Sequence, residues 1–254
     1  MGKSPFAADE LGRFASDGFL VAPRLAAPEL VNALRQAALN QLAARIGPAE
    51  YEADLHYPGA PAARDAPGGG TVRRLLQVYG RIPAFAEWAR APAVANRLRQ
   101  FLGPSLMLSQ AHHNCVMTKQ PRYSSVTGWH QDIRYWSFER PELISLWLAL
   151  GRETPENGCL QFLPGTHVMD FARERLDEAL FLREDLPENQ SLIATSVSAP
   201  LEPGDVVFFH CRTFHAAGNN RTEQPKVSLV FTYHAASNRA LASTRSAALP
   251  SVEL

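Results

Sequence analysis

Thr127-Gly128-Trp129-His130-Gln131-Asp132-Ile133-Arg134-Tyr135-Trp136 is the stretch from which the rest of the chain can be read. In an extended strand residues i and i+2 share a face, so His130 and Asp132 are expected to converge on one point while Gln131 turns away. An imidazole and a carboxylate placed this way are two of the three ligands of a 2-His-1-carboxylate site, which holds a non-haem Fe(II) on one face and leaves the other face open. Taken alone, a His-x-Asp pair is more often two strand residues hydrogen-bonded at a barrel rim, so the assignment depends on a third ligand from elsewhere in the chain.

The chain has 254 residues, 46% of them apolar, which is enough to bury one large core; all-β barrels of this length are commonly one domain. Twenty-five basic residues balance twenty-five acidic ones, leaving no global field to recruit nucleic acid or an anionic membrane surface. A small-molecule substrate is the expected partner. Cys115, Cys159 and Cys211 form neither a CxxC pair nor an even framework, which points to buried free thiols in a reducing compartment. Met1-Gly2-Lys3-Ser4-Pro5 lacks the basic and apolar regions of a signal peptide, and no window reaches the length of a membrane span, so the expected location is the cytoplasm.

Going outward from the central stretch, periodicity predicts a helix from Phe6 to the Asp17-Gly18 stop, then a strand starting at Phe19. A second helix opens at Pro28 and runs toward Ile46-Gly47, with Leu30, Leu34, Ala38 and Leu42 on its apolar side. Residues 51 to 74, rich in Pro, Ala and Gly, read as a long loop, and Pro83 to Leu102 as one helix. Strands follow at Leu106–Met117, which alternates imperfectly around His112 and His113, and at Leu143–Leu150, Gly158–Leu163, Val197–Leu201, Val206–His210 and Val227–Tyr233. Either His112 or His113 could reach a pocket, although a lone strand histidine is more often a satisfied core or rim residue. The charged stretch from Met169 to Ile193 reads as a loop or short helix over the barrel mouth.

His210 and His215 flank Cys211-Arg212-Thr213-Phe214, and either could complete the ligand set. Farther on, Lys226 and Ser228 share a strand face, and a cation beside a hydroxyl suits a carboxylate.

Four stretches together carry a specific resemblance. They are Ser16-Asp17-Gly18-Phe19-Leu20-Val21; Trp129-His130-Gln131-Asp132; Asn157-Gly158-Cys159-Leu160 with Pro164-Gly165-Thr166-His167; and Gly204-Asp205-Val206-Val207-Phe208-Phe209-His210 continuing to His215. In order and spacing the chain resembles the phytanoyl-CoA dioxygenase family of Fe(II)- and 2-oxoglutarate-dependent oxygenases. The resemblance implies a mainly β fold with flanking helices, a double-stranded β-helix or jelly-roll barrel. It implies one oxygenase domain over residues 1–254: helical support and a lid loop over 1–104, the jelly-roll core over 105–234 and a surface tail over 235–254.

The same resemblance implies His130, Asp132 and His215 as iron ligands, with 2-oxoglutarate as cosubstrate and O2 as oxidant. His210 corresponds to a recurrent histidine that is not a ligand. The cosubstrate's distal carboxylate usually meets an arginine eleven residues after the last ligand, a place held here by Lys226, so the bidentate fork is replaced by a point charge. Trp136 falls where relatives place an aromatic beside the cosubstrate. The implied reaction is hydroxylation of a C–H bond with release of succinate and CO2. A zinc-dependent hydrolase or a non-catalytic ligand-binding barrel on the same two histidines and aspartate are the competing readings. Specificity is expected in segments 51 to 74 and 169 to 193, which should border the barrel mouth.

Overall fold

The computed structural model describes residues 5–254, so the reading of Met1 to Ser4 lies outside the described residues. Strands are β1 (Phe19–Ala22), β2 (Ala49–Tyr51), β3 (Val72–Leu76), β4 (Leu106–Lys119), β5 (Thr127–His130) and β6 (Leu143–Ala149). They continue with β7 (Leu160–Phe162), β8 (Val197–Ala199), β9 (Val206–His210), β10 (His215–Ala217), β11 (Lys226–Ala235) and β12 (Val252–Glu253). Helices are α1 (Ala8–Asp17), α2 (Pro28–Ala43), α3 (Pro83–Ala89), α4 (Pro92–Leu102) and α5 (Pro187–Ile193).

Two antiparallel sheets face each other. The larger runs β1-β9-β6-β11-β4-β3-β2, with β12 also pairing β4, and the smaller runs β5-β10-β7-β8. This is the expected jelly roll with helices on one side. The centre of the large sheet is buried on both faces, which is why β6 and β11 read as nearly continuous apolar runs. Along β11, Val227, Leu229, Phe231 and Tyr233 join the cluster containing Leu34, Phe85 and Leu98 of α2, α3 and α4. The alternate residue Val230 instead packs with Trp147, Phe162 and Phe209 between the sheets. Burying each such Leu or Phe contributes about 1.5–3 kcal/mol. Period-two alternation therefore sends Lys226, Ser228, Val230 and Thr232 into the barrel interior.

Several expectations change in the folded chain. The predicted helix over Pro83–Leu102 is two helices, because Pro92 lacks the N–H that would continue α3 and opens α4 instead. The loop over 51 to 74 ends in β3, which pairs β4 with Leu75 opposite Val116, so only its first part is irregular. The segment expected as a surface tail returns to the sheet: β12 pairs β4, while Asn238 and Ser246 are buried. His215–Ala217 forms the short strand β10. All three cysteines are free and buried; burial pushes the thiols of Cys115 and Cys211 up to about 12 and that of Cys159 to about 11. Among the described residues no helix is long and apolar enough to cross a membrane.

Gly18 ties the N-terminal segment to the functional end of the barrel. It caps α1 at φ +80°, its carbonyl accepts hydrogen bonds from His210 N and Thr213 Oγ1, and a Cβ built on it would lie 2.5 Å from both the His167 ring and Thr213 Oγ1. Gly18→Ala is therefore expected to combine left-handed strain with overpacking and to cost roughly 2–4 kcal/mol in urea unfolding. Native-like stability of that variant would mean the Thr213 side yields freely.

Candidate metal centre

β5 and β10 are antiparallel neighbours with His130 directly opposite His215, which brings the two rings to a centroid separation of 4.3 Å. Asp132 reaches the same point by a route the strand rule does not describe. β5 ends at His130, and Asp132 opens a 3-10 turn, 132–135, anchored where Ile133 N donates to the Cys211 carbonyl. Turning the backbone carries the carboxylate to both rings: its Oδ1 is 3.8 Å from His130 Nε2 and 3.5 Å from His215 Nε2.

The hydrogen bonding of this trio leaves its lone pairs free. His130 Nδ1–H donates to the Gly128 carbonyl at 2.9 Å, and His215 Nδ1–H donates to the Thr213 carbonyl at 3.0 Å. In its neutral form each ring is thereby held in the tautomer whose Nε2 lone pair faces Asp132. Asp132 is fully buried, and its Oδ1 has no hydrogen-bond partner. A buried carboxylate oxygen without a donor, facing two imidazole lone pairs, suits a cation. Among the described residues, His130, Asp132 and His215 form the group of ligating atoms able to surround one ion, all within 4.8 Å of one another. Burial favours protonation of Asp132, but His113 and His215 outweigh it and hold the carboxyl well below its usual range. Burial and the neighbouring His215 keep the His130 pKa well below that of a free imidazole.

His210, the competing third ligand, points elsewhere. Its Nδ1 accepts from Arg212 N, its ring lies 5.5 Å from that of His167, and burial lowers its pKa to about 4.

His113, one of the two strand histidines that the sequence offered as able to reach a pocket, enters the site. β4 and β11 lose register between Asn114 opposite Phe231 and Ser109 opposite Thr232, so residues 110 to 113 bulge out of the ladder. Bulges re-aim side chains. This one puts His113 Nδ1 at 3.1 Å from Asp132 Oδ2, which also accepts from Ser145 Oγ at 3.2 Å, Ser145 being linked in turn to Thr232. The imperfect alternation of Leu106–Met117 was the only trace of the bulge in the sequence.

A pocket adjoins the metal centre, lined also by His113, Phe209, Ala217, Arg73, Lys119 and Lys226. Lys226 is in it, but already partnered: its ammonium is 3.2 Å from Glu153 Oε2. Ser228 Oγ donates to Glu153 Oε1 at 2.6 Å, and Trp147 Nε1 donates to the same oxygen at 3.0 Å. Ser228 thus holds Glu153 and is not among the residues lining the pocket. Trp136 packs with Phe138, Leu143 and Cys211, its ring 5.0 Å from that of His113, and it too is outside the pocket lining.

A second cavity of about 280 Å³ shares Arg74 and His113 with the first and opens between Tyr57, Tyr135, His112 and Arg245. Both segments expected at the mouth approach the metal centre. Phe181 pairs with His130 through an isolated bridge and stacks edge-on against Tyr57 at 5.5 Å, and Arg134 lies 4.1 Å over the Phe181 ring.

The phytanoyl-CoA dioxygenase (PhyH) family model matches residues 14–228, and so takes in strands of both sheets and every residue of the metal centre. The chain belongs to the phytanoyl-CoA dioxygenase family. It is accordingly a non-haem iron, 2-oxoglutarate-dependent oxygenase, the class that the four sequence stretches implied. Within the family it is similar to the ectoine dioxygenase of Sphingopyxis alaskensis, at 27% identity over 252 residues, covering 93% of this chain and 78% of the relative. Its fold is similar to that of the apo form of EctD from S. alaskensis, with TM-score 0.76 and 24% identity over 95% of this chain and 81% of the other. It is also similar to that of the non-haem α-ketoglutarate-dependent epimerase SnoN, with TM-score 0.74 and 22% identity over 91% of this chain and 84% of the other.

Proposed function

We propose that the chain hydroxylates a small, polar, anion-bearing molecule, with His130, Asp132 and His215 holding iron and the adjoining pocket holding 2-oxoglutarate. The observation that carries the ligand assignment is the locked tautomer of both histidines: with each Nδ1–H donating to a carbonyl, both Nε2 lone pairs are left for an ion beside the unpartnered Asp132 Oδ1. Bound iron would supply the oxidising chemistry, one atom of O2 leaving in succinate as CO2 is lost from the cosubstrate and the other entering a C–H bond of the substrate.

The protein's part is positional. His113 and Ser145 steady the Asp132 oxygen that faces away from the ion. Phe181 and Tyr57 cover the His130 side and exclude water. Support for a small polar substrate comes from the second cavity, which adjoins the metal centre and lies at the lower end of ligand-pocket sizes. Within it Arg74 is paired with Glu50 at 3.2 Å, leaving Arg245 to favour an anionic group on the substrate. The Glu50 carboxylate beside Arg74 also suits a zwitterion, which makes ectoine, the namesake substrate of the S. alaskensis relative, the natural first member of a test panel.

The test is succinate formation by anaerobically iron-loaded protein on admission of O2, across a panel of small carboxylates and zwitterions including ectoine. Substrate-dependent succinate with a product gaining one oxygen atom is the expected result. Metal-dependent hydrolysis of a panel member without succinate would replace the oxygenase reading by the hydrolase one.

A further inference from the structure

We infer that Lys119, rather than Lys226, is the cation that receives the distal carboxylate of 2-oxoglutarate, because Glu153 has already neutralised Lys226. The inference rests on the oxygenase reading and assigns the far end of its cosubstrate pocket.

β4 and β11 place the two lysines directly opposite each other. Like charges facing across a ladder repel, so a buried pair of this kind calls for anions nearby. One is built in. Glu153, fully buried in the segment after β6 and fixed there by a backbone bridge to Leu201, accepts from Trp147 and Ser228 and sits against the Lys226 ammonium. Lys226, Glu153, Ser228 and Trp147 thus form a closed group whose charges cancel.

Lys119 has no such partner. Among the described residues it forms no ion pair within 4 Å, and its Nζ makes one hydrogen bond, to the Ser125 carbonyl at 2.7 Å. An ammonium has three donors, so two remain for a ligand. The next cation, Arg73, is already engaged with Glu52, Ser125 and Thr127. Lys119 is 7% exposed, and the space it faces is the pocket that begins at the metal centre. Burial, with Arg73 and Lys226 close by, depresses its pKa well below the usual range despite Glu52, and an arriving carboxylate would restore its charge. Lys119 is therefore the pocket lysine without a built-in countercharge among the described residues, and an external negative charge entering the pocket belongs beside it.

The test is calorimetric titration of protein loaded with Mn(II), so that no turnover is involved, against 2-oxoglutarate and against 2-oxopentanoate, which keeps the chelating end and lacks the distal carboxylate. Lys119→Met should lose roughly 100-fold or more in affinity for 2-oxoglutarate and leave 2-oxopentanoate unchanged. The double variant Lys226→Met, Glu153→Gln removes the closed group as a unit, which is close to neutral for a buried pair, and should keep 2-oxoglutarate affinity within about threefold. Wild-type affinity in Lys119→Met, or a loss of roughly 100-fold in the double variant, returns the anchor to Lys226 and overturns the assignment. If Lys119→Met does not fold, the double variant decides by itself. Failure of the Mn(II)-loaded wild type to bind either acid counts instead against the oxygenase reading.

Discussion

Asp132→Ala is expected to abolish measurable iron binding, with loss of affinity exceeding the roughly 10- to 100-fold that removal of a mere supporting partner costs. Oδ1 of this carboxylate is the one anionic atom facing both His130 Nε2 and His215 Nε2. Without it two neutral imidazoles remain, and neither charge neutralisation nor the third corner of the site survives. His113→Ala should fall within the 10- to 100-fold range, because it removes a support of Oδ2 and no ligand. His210→Ala should leave affinity essentially unchanged, its ring being turned toward His167. Equilibrium titration with Fe(II) under argon, or with Co(II) followed by absorbance, measures all three. Native affinity in Asp132→Ala, or a loss in His210→Ala matching that of His215→Ala, would show that the ion is held elsewhere.

Arg73→Met is expected to be the most destabilising of the pocket variants, by roughly 3–5 kcal/mol, because it strands a buried carboxylate. Arg73 is 2% exposed and Glu52 is fully buried. The guanidinium is 3.3 Å from Glu52 Oε2 and donates to Ser125 Oγ at 2.7 Å and Thr127 Oγ1 at 2.9 Å, while Ser125 Oγ donates to Glu52 Oε2 at 2.6 Å. This network joins the irregular segment after β2 to β3 and to the strand that carries His130. Removing both charges together, as Arg73→Met with Glu52→Leu, should recover most of the loss. Urea unfolding of the two variants decides: a loss below about 1 kcal/mol in Arg73→Met would place the network in the class of weak, solvated pairs.

Arg73 also marks how far local reading extends. Its segment is rich in Pro, Ala and Gly, and composition alone made residues 51 to 74 a loop. What makes Val72–Leu76 a strand is an edge offered by β4, a partner far along the chain that no window around Arg73 contains. Pro92 shows the opposite: a residue whose missing N–H acts locally ends one helix and starts the next whatever surrounds it, so its effect is legible in the sequence itself.

By itself the sequence determined the architecture, the metal centre's candidate ligands and the oxygenase class. Apolar runs of strand length mark β6, β9 and β11, the turn residues separate them, and the His-x-Asp pair with a later histidine recurs at spacings that local backbone geometry and family pattern make recognisable. Only the tertiary structure decided which charges cancel. The bulge that turns His113 onto Asp132, the burial of Glu52 against Arg73 and the capture of Lys226 by Glu153 each join residues distant in the chain. A strand pattern states which face a side chain takes, but the energy of a buried charge depends on its nearest countercharge in space. Which lysine is left for the cosubstrate is therefore a property of the packed barrel.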